Sequence, residues 1–160
     1  MYEKLERYVV VPVPGEGYEV QGQWKDDIHN LKTRILFDYR TYKIITADVE
    51  ATGIPFDICH QGIKSIDKLI GVQVGPKFNR FVRDEVMGAT GCVHVGELVL
   101  GSVKAALQAA SREMPDWIDE AEYTSKWAGW EALYKNQCIY FAQPDEKMLK
   151  PEEIHEKLGK

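Results

Sequence analysis

A chain of 160 residues with 44% hydrophobic and 28% charged side chains has the size and composition of one ordinary globular domain with its own core. A net charge of -5, a pI near 5.4 and the lack of a basic stripe with interleaved aromatics exclude non-specific nucleic-acid binding. No apolar run approaches the ~20 residues that cross a bilayer, so no membrane partner is expected. Three cysteines do not make a disulfide framework. The charged start Met1-Tyr2-Glu3-Lys4-Leu5-Glu6 lacks the apolar centre of a secretory leader, so the expected location is the cytoplasm.

In chain order, Arg7 to Val13 is a β-branched run that ends among prolines, and Gly15-Glu16-Gly17 supplies a turn. Tyr18, Val20, Gly22 and Trp24 then alternate with Glu19, Gln21, Gln23 and Lys25, the period of a half-buried strand. After Asp26-Asp27 the alternation resumes with Leu31, Thr33, Ile35 and Phe37. Tyr42 to Ala51 makes the last strand, with Ile45, Ala47, Val49 and Ala51 expected on one face and Ile44, Thr46, Asp48 and Glu50 on the other. Four strands with tight turns form an antiparallel meander, and one face of it needs cover.

Helical spacing follows. Ile63, Ile66 and Ile70 predict a helix stopped at Gly71, and Phe78, Phe81, Val82 and Val86 a second one ended by Gly88. Val95, Leu98, Val99, Ser102, Val103, Ala106 and Ala110 trace a stripe of about four turns. Cys138 to Phe141 is expected as a short strand returning to the sheet edge. Pro151-Glu152-Glu153 opens a charged terminal helix. The expected fold is α+β: a meander of about four strands covered on one face by helices. A single domain is expected over residues 1–143, with a charged tail carrying a short helix over 144–160.

The chemistry concentrates in Gly91-Cys92-Val93-His94, at the mouth of the longest helix. A thiol and an imidazole two residues apart are soft donors suited to a borderline metal ion. Cys59 and His60 follow the meander, and Cys138 precedes an apolar run. Cys59, Cys92, His94 and Cys138 lie at separate element junctions and together would make a tetrahedral N/S set. The competing account treats the cysteines as small buried hydrophobes, and no Cys-x-x-Cys pair is present. Glu97, three residues after His94, suits a general acid/base or an orienting carboxylate. It equally suits a first-turn acid that stabilises the helix dipole by ~0.3–1 kcal/mol. His29, after two aspartates in a turn, reads as solvated, and Asp48 with Glu50 as a wet strand face. Arg80 and Arg83 need no role beyond the surface of an amphipathic helix. Trp117, Trp127 and Trp130 suit the wall of an apolar pocket or an interface.

Asp48-x-Glu50-Ala51, Pro55-Phe56-x-x-Cys59, Leu69-Ile70-Gly71, Val82-Arg83 and Gly91-Cys92-Val93-His94-Val95-x-Glu97-Leu98 together resemble a bacterial family, the domain of unknown function 2889. Its hallmark is Gly-Cys-Thr-His-Leu, with Val93 and Val95 standing here for the threonine and the leucine. The resemblance extends over roughly residues 7 to 141, and Cys138 looks matched to a late cysteine of that family. It implies no activity. The meander, the cysteine after it and the Cys/His entry to a long helix also resemble the architecture of iron–sulfur cluster assembly scaffolds. That likeness implies cysteines holding zinc or a nascent cluster, although no cysteine precedes residue 59 here.

The expected function is a zinc- or iron-binding enzyme of hydrolase or lyase type, acting on a small molecule in the catabolism of an apolar or aromatic compound. Cys59, Cys92, His94 and Cys138 would hold the ion, and Glu97 or His60 would move protons. The alternative is a non-catalytic metal- or sulfur-binding assembly module, or a structural subunit of a larger complex. An exposed meander edge and the tryptophan-rich flank suit a homodimer or a hetero-subunit partner.

Overall fold

Alternating apolar side chains in the first third of the chain build a four-stranded antiparallel sheet in the computed structural model, which describes residues 1–157. The strands are β1 (Leu5–Val13), β2 (Gly17–Lys25), β3 (Asn30–Asp38) and β4 (Ile44–Gly53), hydrogen-bonded in sequence order. Tyr18, Val20 and Trp24 of β2 and Leu31, Thr33, Ile35 and Phe37 of β3 point inward and are buried. Glu19, Gln21 and Gln23 alternate with them on the open face, beside Lys32, Arg34, Asp48 and Glu50. Pro12 falls in β1, an edge strand, where a missing N–H costs no ladder bond. Gly17 is required where it stands, because a Cβ there would run into the carbonyl of Phe37 on the neighbouring strand.

One expectation about β4 is corrected. The register shifts between Leu36 and Phe37, so Phe37 faces Ile44 while Leu36 faces Thr46. Ile45 is the extra residue of this bulge and is exposed, whereas Ile44 is buried. The strand runs to Gly53, two residues past the expected end.

Helical segments cover the inner face. The short α1 (Cys59–Gly62) continues as a 3₁₀ stretch over Ile63–Leu69, which buries Ile63, Ile66 and Leu69. Then come α2 (Phe78–Phe81), widened into a π-turn over Val82–Met87, and the long α3 (Val93–Ala110). In the first turns of α3, Val95, Leu98 and Val99 are fully buried, each contributing about 1.5–3 kcal/mol by leaving water. Val103 and Ala106 continue the same face. The core joins these side chains to Val20, Trp24, Leu31, Ile35, Phe37, Ile44 and Ala47 of the sheet. The α+β class and the one-sided helical cover are therefore as the sequence predicts.

The chain divides into two compact units, Met1–Gln108 and the part from Ala109 onward. The second holds α4 (Glu120–Tyr134), a 3₁₀ turn over Asp145–Lys147 and α5 (Pro151–Lys157). The last three residues of the expected tail lie outside the described residues. Asp119 caps α4, its carboxylate accepting from the Glu122 amide at 2.8 Å. Tyr123, Trp127 and Trp130 share one face of α4, with ring centroids about 6 Å apart. The strand expected over Cys138 to Phe141 does not form. That segment is a turn, with Ala142 N donating to Cys138 O and Asn136 N to Phe141 O, so its backbone groups are spent locally. Among the described residues no helix is long and apolar enough to cross a membrane.

Candidate functional site

The mouth of α3 is held by a single carbonyl. Val86 O, near the end of the π-turn and short of intrahelical donors, accepts from Ser65 Oγ at 2.8 Å and from Cys92 N at 2.9 Å. Gly91 lies so close that a Cβ would run into that same carbonyl. Gly62 of α1 packs on this loop in turn; its Cβ position lies 2.8 Å from Gly91 O and 3.9 Å from Cys92 Cβ. The start of α3, and with it His94, is thus set by backbone contacts rather than by a flexible loop.

The second half of the site comes from the hairpin between β2 and β3. Asp26 N donates to His29 O at 3.0 Å, closing the loop. The Asp26 carboxylate collects the free donors around it: Trp24 Nε1 at 2.9 Å, Ile28 N at 2.9 Å, His29 N at 2.6 Å and Tyr2 OH at 3.3 Å. His29 Nδ1 lies 3.1 Å from both carboxylate oxygens. The side chains of Asp26 and His29 are only 4% and 15% exposed. The Trp24 indole is the largest cause holding the Asp26 carboxyl well below the usual carboxylate range; burial opposes it, and the two amides and the His29 ring add to it.

His94 closes the cluster. Its ring stands 4.0 Å from that of His29 and 4.8 Å, edge-on, from that of Trp24. Burial pushes the His94 imidazole below its ordinary value, and neighbouring His29 adds to this; Asp26 and Glu97 favour the charged form but do not outweigh them. His94 is therefore uncharged at neutral pH. Lys4 lies 4.2 Å above the Trp24 ring and pairs with Glu6 at 2.6 Å.

A carboxylate accepting from Nδ1 requires a proton there, so the lone pair of a neutral His29 sits on Nε2. Asp26, His29 and His94 form a carboxylate–imidazole–imidazole cluster walled by Trp24. Such a cluster can hold a ring in one orientation and pass a proton at Nε2.

The sequence-derived candidates fall unevenly around it. His94 is central, and Glu97 is exposed one turn further along α3. Cys92 is half-buried, packs against the core and gives its carbonyl to Gly96 N, so it stands at the helix cap. Cys59 is half-buried as the first residue of α1, and His60 beside it is exposed. Cys138 is exposed and belongs to the second unit. Among the described residues no group of three or more His, Cys, Asp or Glu side chains is arranged to hold a metal ion.

His29, expected in solvent, is the residue the sequence reading missed, together with Asp26 and Trp24. The usable signal was Trp24-x-Asp26-x-x-His29. An inward-facing tryptophan at a strand end places its indole N–H beside the turn, and an aspartate there caps the loop amides.

An α+β unit with a half-buried carboxylate–imidazole cluster at the hairpin end of its sheet is the class of protein that these features define. The model of the family described as protein of unknown function (DUF2889) matches residues 15–108, and the chain belongs to that family. The matched stretch is shorter than the 7 to 141 expected and ends with the first unit. It contains Asp26, His29, Cys59, Cys92 and His94 and stops before Cys138. No curated protein and no solved structure matches the chain.

Proposed function

We propose that the hairpin end of the first unit is the active site of a small-molecule enzyme of hydrolase or lyase type, with the Asp26–His29 pair handling the proton. The observation that carries this reading is the Asp26 carboxylate, fixed by Trp24 Nε1 and two backbone amides, lying 3.1 Å from His29 Nδ1 while His29 meets His94 ring to ring. A carboxylate on Nδ1 orients the ring and stabilises the imidazolium that forms when Nε2 takes a proton from water or substrate. Uncharged His94 is the adjacent hydrogen-bonding partner for the group that receives or loses that proton.

Hydrolysis of 4-nitrophenyl acetate by purified protein tests this. His29→Gln and His94→Gln are expected to lower the rate by on the order of 10²-fold, the lower end of what a positioned acid/base contributes. A wild-type rate no greater than that of free imidazole at equal concentration sinks the reading.

A second reading, zinc or iron at the same end, is favoured by one specific feature. An imidazole whose Nδ1 is turned onto a carboxylate is oriented as metal-bound histidines are, and Cys92 caps the helix that carries His94. His29 and His94 would then be the ligands from this cluster, and the ion would supply Lewis acidity; no third His, Cys, Asp or Glu side chain among the described residues is grouped with them to complete a ligand set. Metal content of protein purified without an affinity tag decides between the two. About one equivalent, lost in His29→Gln and in His94→Gln, supports the metal centre; metal-free protein with full activity supports the acid/base pair alone.

A further inference from the structure

The ammonium of Lys4 lies in a cage that β1, β2 and α3 make together. Glu6 is the direct cross-strand partner of Trp24, so the two side chains share one face of the sheet. Lys4 Nζ stands 2.6 Å from one Glu6 oxygen and 4.2 Å above the centre of the Trp24 ring. Both walls are fixed by groups other than Lys4. Trp24 Nε1 donates to Asp26 at 2.9 Å, which sets the plane of the indole. Tyr8 OH donates to the second Glu6 oxygen at 3.1 Å, and that hydroxyl lies where a Cβ on Gly101 of α3 would stand. Glu97 is one turn before Gly101 on the same helix, and its charge acts on Lys4, Tyr8 and His94.

The charges that act on Tyr2, Lys4, Glu6 and His94 are unequal in sign. Four carboxylates, Glu6, Asp26, Asp27 and Glu97, stand against two ammoniums, Lys4 and Lys104. Asp26 is already engaged by Trp24, Tyr2, His29 and two amides, which leaves Glu6 and Glu97 as the acceptors beside the ring. A fixed aromatic face next to a carboxylate held from behind suits an alkylammonium. Lys4 holds this place weakly. It precedes β1, its side chain is 40% exposed, and ion pairs and cation–π contacts at exposed positions are shallow. The same indole meets the His94 ring edge-on at 4.8 Å, so a cation over it lies beside the imidazole pair.

We propose that the Trp24 face, Glu6 and Glu97 form a binding site for a small molecule with a primary ammonium on an alkyl stem, and that Lys4 occupies it as an internal stand-in. An incoming ammonium takes the place of Lys4 between the ring and Glu6. As a statement of substrate class for the imidazole pair, the proposal rests on the active-site reading above; the binding itself does not.

Butylammonium, which has the stem and head of the Lys4 side chain, and 1-butanol, which lacks the charge, are the probes. They are titrated into the full chain and followed by the indole N–H signal of Trp24. Butylammonium is expected to saturate, and 1-butanol to give no shift at the same concentrations. Lys4→Ala is expected to tighten butylammonium binding by about threefold or more, because the internal competitor is gone. Adding Glu6→Gln to that variant keeps an acceptor for Tyr8 and is expected to weaken binding again by about threefold or more. Equal responses to the two probes, no saturation by butylammonium even in Lys4→Ala, no tightening in Lys4→Ala, or no weakening on adding Glu6→Gln would overturn the proposal. Butylammonium binding in a protein that fails to hydrolyse 4-nitrophenyl acetate upholds the site while discarding the acid/base reading. Hydrolysis without butylammonium binding does the reverse.

Discussion

At the scale of single residues, the site turns on Asp26. Its carboxylate gathers an indole, two amides, a phenol and an imidazole, which favours the charged form in the folded state. A folded value depressed below the ordinary ~3.9 means that the stabilisation is complete above that pH and is lost as pH falls toward the folded value. His94, also depressed but from ~6.5, has its stabilising contribution in full above that pH and loses it as acid is added. Stability should therefore decline in two steps on acidification. In chemical denaturation across pH 7 to 2.5, His94→Gln is expected to remove the step that begins near 6.5, and Asp26→Asn the step below about 4. Unchanged profiles in both variants would refute this assignment. His94 itself was legible, as a soft donor at a helix mouth. His29 was not, because a histidine after two aspartates looks solvated until the tryptophan two residues before Asp26 is seen to point inward.

At the scale of elements, period-2 alternation made β2 and β3 legible almost residue by residue, since both have one buried face. The Ile45 bulge was hidden. A β-bulge is a pairing event between two strands, and the alternation of β4 alone gave the opposite face to Ile44 and Ile45. α4 was missed although Asp119-x-x-Glu122 is a capping signature. Its aromatics, Tyr123, Trp127 and Trp130, read as a cluster before they read as a helical stripe. The junction of α1, the π-turn and α3 is the most sensitive element contact. A side chain at Gly91 meets the backbone carbonyl of Val86, which cannot rotate away as a side chain would. Gly91→Ala is expected to cost about 1–3 kcal/mol, as overpacking does, and to shift the ring resonances of His94. An equal denaturation midpoint with unmoved His94 signals would contradict the pinned junction.

For the whole molecule, the family match and the first compact unit end at the same residue, and the buried members of the sheet-and-helix core cluster run from Val20 to Ala106. The first unit thus holds both a complete core and the Asp26–His29–His94 cluster. A chain cut after Ala110 is expected to unfold in one cooperative transition and to keep the upfield or downfield ring shifts that the His29–His94 contact produces. A non-cooperative melt by circular dichroism would show that the remainder is needed for folding.

The amino-acid sequence by itself determined the α+β class, the antiparallel meander and the long helix that His94 opens, because each is written in short-range periodicity. The tertiary structure alone decided which donors meet. His94 finds His29 and Asp26 because the hairpin and the helix mouth are brought to one end of the sheet by strand register and by the backbone contacts of Gly62 and Gly91. Those are relations between segments distant along the chain, which no local pattern encodes.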